Sequence, residues 1–272
     1  MKKTRWMTVG LLTATIGLAG CNNETIEDGQ GENGSKQLSN TELLKKASSA
    51  QENIKSFHMD SDMMSEVGGM PISQKISADI IQKPMTMYQK MTMKNAEDGT
   101  DVETELYLVD DKMYMSQSGQ WLVQDTSELG DMLENMESSA STEQSLKLLK
   151  KYKDNWTMKK EGDVYQIDVD LKGDQLKAFM KDSLEQSGQL AQMKEVMDQV
   201  DYKKMEYSMT YDAKTYYPKT LDMEMAFEIE EGTEFTMKNE SVFSKFNEIK
   251  SIELPAEAKD AQELPSSKQS KQ

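Results

Sequence analysis

A single cysteine, Cys21, carries the most specific chemistry in this sequence. It follows a basic start (Met1 to Arg5), a mostly apolar run from Met7 to Leu18, and two small residues. The apolar run is too short to cross a bilayer as a helix, and its place between basic and small residues is typical of a secretory leader. We therefore expect residues 1–20 to be removed, which leaves the thiol on the first residue of the mature chain.

The segment Leu18-Ala19-Gly20-Cys21 resembles the lipobox of bacterial lipoproteins. The resemblance implies that the Cys21 thiol receives a diacylglyceryl group and holds the protein on the outer face of the cell membrane, where two acyl chains anchor stably. The alternative is an ordinary secretory signal with an incidental cysteine. Arg5 is the sole arginine and all other cationic side chains except His58 are lysines, a composition that suits a Gram-positive source.

The charge balance argues against nucleic acid as a partner and against membrane attachment through charged side chains. The 272 residues contain 32 Lys and Arg against 48 Asp and Glu, a formal net charge of −16. A surface this acidic repels nucleic acid and anionic headgroups, so we expect no nucleic-acid role and membrane attachment through the lipid alone. No second apolar run of about 18 residues follows the leader, so we expect the rest of the chain to be soluble and extracytoplasmic.

The sequence offers little for catalysis. His58 is the only histidine, and lipidation of Cys21 would leave no free thiol, so the usual Ser-His or Cys-His machinery is lacking. We find no glycine-rich phosphate loop, no zinc-binding spacing and no EF-hand loop. Most acidic residues alternate with apolar ones, as on a solvated sheet face. We therefore predict a protein that is not an enzyme and has no catalytic residue, bound metal or cofactor.

Composition divides the chain into four parts. After the leader, residues 21–37 are polar, acidic and glycine-containing, and we expect a flexible tether there. Residues 38–255 carry the periodic apolar pattern of one domain. Residues 256–272 are polar again, and we expect a tail that is at least partly disordered.

Within the domain the apolar pattern changes between two periods. Ser39 offers a helix N-cap before Leu43, Leu44 and Ala47, and helical spacing returns at residues 129–136, 146–150 and 176–197, with a break near Gly188. Period-two alternation fills most of the remainder, with turn signals at Gly68-Gly69, Asp98-Gly99, Glu161-Gly162 and Glu231-Gly232. One-sided strands of this kind are typical of antiparallel sheets. The fold class that we predict is α+β, with one large curved antiparallel sheet of about ten strands, a half-open barrel, covered by several helices.

Methionine is unusually frequent, with 23 residues, and most of these lie on the apolar side of a strand or helix pattern. Its flexible, polarisable side chain adapts to ligands of variable shape, so a groove for acyl chains is one interpretation. A solid core in which Met replaces Leu is the other. The candidate groove residues are Met87, Met91, Met93, Leu106, Leu108, Met205, Tyr207, Met209, Leu221, Met223, Met225 and Phe227.

Copper binding is a further alternative. The pairs Met85/Met87, Met91/Met93, Met113/Met115 and Met223/Met225 place two thioethers on one side of a strand, and soft thioethers select Cu(I). His58 or another residue could complete such a site. However, any half-buried strand that is rich in methionine has the same spacing.

The order of lipobox, polar tether, helix, long meander, helices and final meander resembles the Gram-positive lipoproteins of the LolA-like and LppX/LprG-like superfamily, including members without an assigned function. The segment Ile252 to Ala256 also resembles the end of that domain. The resemblance covers about residues 38–255 and implies a half-open barrel that holds lipid, acyl chains or a lipoprotein anchor against its helices. Cys21 is the only functional residue carried over. The soluble carriers of the superfamily move freely, whereas this chain would be tethered.

Two functions remain open at this stage. In the first, the protein is a membrane-anchored lipoprotein that binds a lipid or acyl chain without catalysis. In the second, it is an envelope interaction or sensor protein with a filled core, and its acidic sheet face or its helices engage a protein partner.

Overall fold

Strands make up most of the computed structural model, which describes residues 38–94, 99–117, 119–126, 151–186, 188–230 and 232–263. The strands are β1 (Ser56–Val67), β2 (Met70–Ile81), β3 (Thr86–Lys94), β4 (Asp101–Val109), β5 (Lys112–Gln117), β6 (Gln120–Asp125), β7 (Trp156–Glu161), β8 (Val164–Lys172), β9 (Asp201–Asp212), β10 (Pro218–Glu230), β11 (Thr233–Ser244) and β12 (Gln262–Glu263). The helices of this part of the chain are α1 (Asn40–Gln51), α2 (Gly173–Gln186) and α3 (Leu190–Asp198). Short 3-10 helices span Lys153–Asn155 and Ala256–Asp260.

Two antiparallel meanders lie side by side in one open, curved sheet. The strand order is β12-β6-β5-β4-β3-β2-β1-β11-β10-β9-β8-β7, and the pairing of β1 with β11 joins the two halves. Among the described strands, β12 alone runs parallel to its neighbour, β6. The predicted α+β class with a large curved antiparallel sheet is confirmed, and the sheet has twelve strands where the sequence indicated about ten.

The pairing register gives the sheet two chemically different faces. Phe57, Met59 and Met63 of β1 lie on one face, which we call the inner face, and His58 and Asp60 lie on the other, the outer face. The register carries this division from strand to strand. On β1 to β6 and β11, no charged side chain of the described residues lies on the inner face. The inner face is therefore the one that must be shielded from water.

Helices cover one end of the inner face. Leu43, Leu44 and Ala47 of α1 are almost fully buried and pack in one cluster with Leu176 of α2 and Met197 of α3. The strand side of this cluster consists of inner-face residues of β7, β8 and β9, which are Trp156, Tyr165, Ile167, Val169, Leu171, Met205, Met209 and Tyr211. The main core therefore lies over the β7–β9 end of the sheet.

Local signals explain where the helices begin and end. The Ser39 hydroxyl accepts a hydrogen bond from the Glu42 backbone N–H at 3.3 Å, and the Glu42 carboxylate accepts one from the Ser39 N–H at 2.8 Å, which makes a capping box. Helix α2 ends at Gln186 and α3 begins at Leu190. Gly188 lies between them with φ of 71°, a conformation that glycine adopts without strain, so the predicted break is confirmed.

The chain continues past the predicted domain boundary at residue 255. Ala256–Asp260 form a 3-10 helix beside β6, and Gln262–Glu263 form β12. Ala258 is fully buried, which is the physical reason that this polar stretch is held. Residues 256–263 therefore belong to the folded unit, in contrast to the expected tail.

Other expectations fall on parts of the chain outside the described residues. These are the leader (1–20), the tether (21–37), the helical stripes at 129–136 and 146–150, and residues 264–272. Among the helices that the structure describes, none is long and apolar enough to cross a membrane.

Candidate functional site

The twelve candidate groove residues all lie on the inner face, in two separate groups. One group is on β3 and β4, where Met87 pairs with Leu108 and Gln89 pairs with Leu106. The other is on β9 and β10, where Met209 pairs with Leu221 and Met205 with Met225. Strands β2, β1 and β11 lie between the groups, so they are about 19 Å apart along the sheet. The sequence correctly placed these residues on one face of the sheet, but the distance between the two groups depends on the strand order, which the sequence did not show.

The β9–β10 group lies partly inside the helical core. Met205 and Met209 are 7% and 5% exposed and pack under the helices. The Met209 sulfur accepts hydrogen bonds from the hydroxyls of Tyr207, at 2.9 Å, and Tyr211, at 3.1 Å. Burial raises the pKa of both phenols, so they remain neutral donors. Leu221, Met223, Met225 and Phe227 are half-buried.

The β3–β4 group lies beyond the strands that the described helices cover. Met87, Met91, Met93 and Leu106 are half-buried, and Leu108 is 9% exposed. Gln74 on the neighbouring strand donates to the Met91 sulfur at 2.7 Å. This half of the inner face combines uncharged side chains with partial access to solvent, as a surface for an apolar ligand requires.

The inner face is most exposed at the turn between β1 and β2. Gly68 and Gly69, with φ of 56° and 82°, form a two-residue hairpin loop, and Met70 and Ile72 beyond it are 68% and 43% exposed. Val67 pairs with Phe235, whose ring stacks on Phe227 at 4.6 Å, and Ile229 lies just beyond. The inner-face residues Val67, Met70, Ile72, Phe227, Ile229 and Phe235 are called the hairpin tip below.

A buried polar ring interrupts the inner face between the two groups. Ser61 donates to the Asn239 carbonyl oxygen at 2.6 Å, Asn239 donates to Ser241 at 3.0 Å, and Ser241 donates back to Ser61 at 3.0 Å. All three side chains are at most 6% exposed. The ring satisfies each hydroxyl, which makes its burial on an apolar face tolerable. The sequence analysis missed it, although Asn239 and Ser241 occupy apolar positions of the β11 alternation.

His58 lies on the outer face, away from the methionines. Its Nδ1 is 2.6 Å from Asp79 and its Nε2 is 3.1 Å from Asp60. Partial burial of Asp60 raises the pKa of its carboxyl, but hydrogen bonds from Ser77 and His58 and the charge of the imidazolium lower that pKa more, so the net shift is downward.

The suggestion that His58 completes a copper site with the Met-x-Met pairs is wrong, because His58 lies on the outer face and the sheet separates it from the methionines of the inner face. No cluster of His, Cys, Asp and Glu arranged to hold a metal ion occurs in the described part of the chain.

The outer face also carries an aromatic cluster that the sequence analysis missed. The Tyr88 and Tyr107 rings lie 4.7 Å apart, and Trp121 lies 5.8 Å from Tyr107. Burial, reinforced by Tyr88 and Glu105, raises the pKa of Tyr107 to about 12. The sequence contained a signal for this cluster, because Tyr88, Tyr107 and Trp121 are large aromatic residues at the positions of β3, β4 and β6 that alternation assigns to the solvent-facing side.

Carboxylates dominate the rest of the outer face around an open depression of about 400 Å³. Cross-strand partners there have like charge, as in Glu206 with Glu224 and Asp222 with Glu240. Burial and the Glu240 carboxylate raise the pKa of Asp222. Lys204 and Lys238 offset part of this charge through ion pairs with Glu224 and Glu240, respectively. The arrangement favours a cationic partner over an anionic one.

Comparisons with solved structures find similarity at low sequence identity. The lipoprotein LppX of Mycobacterium tuberculosis is 11% identical over 79% of this chain and 100% of LppX, with a TM-score of 0.41. LprF of Mycobacterium bovis is 13% identical over 79% of this chain and 95% of LprF, with a TM-score of 0.42. A DUF1329 family protein of Desulfovibrio piger is 11% identical over 76% and 92%, with a TM-score of 0.26. The architecture described above rests on this chain's own strand order and register.

No curated protein matches the chain. A family model does match: it is described as a family of unknown function, DUF6612, and it covers residues 39–263. This match spans the folded unit from the Ser39 helix cap to the end of β12. The chain therefore belongs to the DUF6612 family.

Proposed function

We propose that the protein is a membrane-anchored extracytoplasmic lipoprotein that binds a lipid or acyl chain on the inner face of its sheet. The observation that carries the proposal is the uncharged inner face of β1 to β6 and β11, which extends beyond the helical core and reaches solvent at the hairpin tip. Burial of apolar surface would provide the affinity, and the flexible methionines of β3 would accommodate chains of different shape.

The Cys21 lipid anchor is the second part of the proposal. It rests on the leader pattern and on the acidic composition, which disfavours attachment through charge. A Cys21→Ala variant should move from the detergent phase to the aqueous phase in a phase-partition assay, and the wild-type mass should exceed that of the bare chain by a diacylglyceryl group. An unmodified Cys21 in the membrane fraction would contradict this part.

The proposed role is non-catalytic. His58, the only histidine of the chain, has both ring nitrogens hydrogen-bonded to carboxylates on a polar sheet face. A histidine held in this way is not placed to activate a nucleophile on the inner face.

The ligand proposal is tested by native mass spectrometry of the full protein purified from its own membranes. Co-purifying mass that organic solvent extracts as lipid is expected. Met91→Glu should lose this mass, because it places a charge on the inner face of β3. The matched control is Thr92→Glu, one residue further on the same strand, half-buried and on the outer face opposite Lys75. A bare polypeptide mass for the wild type, or equal loss from both variants, would overturn the proposal.

A protein partner on the outer face is the second candidate function. The like-charge pairs around the 400 Å³ depression favour it, because Lys204 and Lys238 offset only part of this negative charge and the facing carboxylates still repel one another across the strands. A basic envelope protein fits this surface. The double variant Glu206→Gln/Asp222→Asn should stabilise the free protein and abolish crosslinking to such a partner in intact cells. Unchanged crosslinks would exclude this surface.

A further inference from the structure

We propose that the hairpin tip docks onto the surface of the lipid bilayer and places the open end of the inner face against the lipid. This inference rests on the proposed function and goes beyond it, because it names the surface through which ligand passes between the protein and the membrane. The occupant to which we commit is a bilayer with little net charge.

The first observation is exposure. Met70 and Ile72, both on the inner face, follow a tight two-glycine turn with 68% and 43% of their surface in contact with solvent. Met70 is the most exposed large hydrophobic side chain of the described chain. Exposed apolar side chains concentrated at one tip mark an interaction surface.

The second observation is continuity. Val67 faces Phe235 across the β1–β11 pair, and the Gly68 N–H donates to the Glu234 carbonyl oxygen at 3.0 Å, so the two hairpin ends are joined. Phe235 stacks on Phe227, which is one of the candidate groove residues. An acyl chain leaving the inner face at this end would remain in contact with apolar side chains until it reached the tip.

The third observation is the length of chain between the anchor and the fold. Residues 21–37 span at most about 60 Å when extended, whereas strand β1, with 12 residues, is about 40 Å long. The tether therefore allows either end of the sheet to reach the bilayer. Because anchoring gives the tip a high effective concentration at the membrane, a small apolar surface is sufficient for docking.

Charge at the tip sets the lipid preference. Glu66 and Glu234 are exposed on the outer side of the same hairpins, and Glu234 lies opposite Glu228. Lys203 pairs with Glu228 and with Asp201, which leaves the tip acidic. Carboxylates at this position oppose deep insertion into an anionic surface, so docking is shallow and reversible.

The test uses the lipidated protein in vesicles with an environment-sensitive fluorophore on an introduced cysteine. Lipidation consumes the only native thiol, so Met70→Cys gives one labelling site, and Met85→Cys gives a matched control at the opposite end, where Met85 is 40% exposed. In phosphatidylcholine vesicles the label at position 70 is expected to shift its emission to shorter wavelength and to be quenched by nitroxide lipids, whereas the label at position 85 remains aqueous. Equal spectra and equal quenching at both sites would overturn the proposal.

Two further arms separate the possible failures. In anionic phosphatidylglycerol vesicles the shift at position 70 should shrink, and Glu66→Gln/Glu234→Gln should restore it. The quenching at position 70 could instead increase with the density of protein on the vesicles and not with the amount of nitroxide lipid. That result would show that the tip binds a second copy of the protein, and it would overturn docking to the bilayer. If the Cys21 anchor is absent, the protein no longer floats with the vesicles. If the protein does not bind a ligand, no lipid co-purifies with it.

Discussion

At the scale of single residues, the polar ring of Ser61, Asn239 and Ser241 defines how the two halves of the sheet meet. Ser61 lies directly opposite Ser241 in the β1–β11 pair. A slip of one residue would move Asn239 and Ser241 to the outer face and leave the buried Ser61 without partners. The ring therefore selects one register for the β1–β11 pairing, which joins the two meanders.

Removal of one member of the ring should be costly. Ser61→Ala takes a donor from the Asn239 carbonyl oxygen and an acceptor from Ser241, and we expect it to lower the free energy of unfolding by about 1–3 kcal/mol. The control is Ser65→Ala, on the same strand and face but half-buried. Urea denaturation measures both. A loss no larger for Ser61→Ala than for the control would contradict a role in register.

A second residue-scale prediction concerns acid stability. Partial burial of Asp182 raises the pKa of its carboxyl, but hydrogen bonds from Lys151 and Tyr152, the latter at 2.7 Å, lower that pKa more, so it lies below its usual value. The folded state therefore binds this proton less readily than the unfolded state, and the stabilisation is present above the unfolded pKa of about 4 and is lost as the pH falls through the folded pKa.

We expect Asp182→Asn to lower the free energy of unfolding by about 1–2 kcal/mol at pH 7. The difference from wild type should shrink as the pH falls below about 4, because the wild-type carboxyl is then protonated as well. Denaturation curves recorded from pH 7 to pH 2.5 would show this convergence. A difference that does not change with pH would mean that Asp182 acts through packing and not through its charge.

At the scale of elements, strands β1 to β3 each separate two kinds of side chain, and helix α1 has a defined start. On β1 to β3 the alternation places every methionine except Met64 on the inner face, and His58, the carboxylates and the lysines on the outer face. Helix α1 begins at a capping box, and its apolar side is buried in the core.

The capping box gives an element-scale prediction. Ser39→Ala removes the acceptor of the Glu42 N–H, and we expect it to cost about 1 kcal/mol of stability. Ser49→Ala, at an exposed position inside the same helix, should be neutral or slightly stabilising because alanine has the higher helix propensity. Thermal unfolding of the two variants is the measurement, and equal melting temperatures would contradict the cap.

At the scale of the whole molecule, the last described residues cover part of one edge of the sheet. Strand β12 pairs with β6, Ala258 is fully buried, and Val123 of β6 is 9% exposed. An open edge strand would otherwise present unpaired N–H and C=O groups. The C-terminal segment thus protects β6, although its composition is that of a polar tail.

Two truncations test this arrangement. A chain that ends at Pro255 loses the 3-10 helix and β12, and we expect a loss of roughly 1–3 kcal/mol together with a tendency to aggregate. A chain that ends at Glu263 keeps both elements and should match the full-length protein. Chemical denaturation and light scattering would distinguish the two, and equal stability would show that the segment is dispensable.

Much of this architecture was predictable from local patterns. The alternation of Met87, Met91 and Met93 with their polar neighbours identified the inner face of β3, and Gly188 marked the break between α2 and α3. The aromatic residues at outer-face positions were a sequence signal for the Tyr88, Tyr107 and Trp121 cluster, but their contacts with one another were not predictable, because alternation indicates which side a residue faces and not what lies beside it.

Composition and spacings within one segment account for the acidic charge, the leader pattern at Cys21, the α+β class and the side of each strand on which apolar residues lie. The folded chain was needed for the strand order, and with it for the separation of the two methionine groups, the polar ring between β1 and β11, and the exclusion of His58 from the methionine face. The physical reason is that these features depend on contacts between segments as far apart as residues 61 and 241, and local periodicity contains no information about which strands pair.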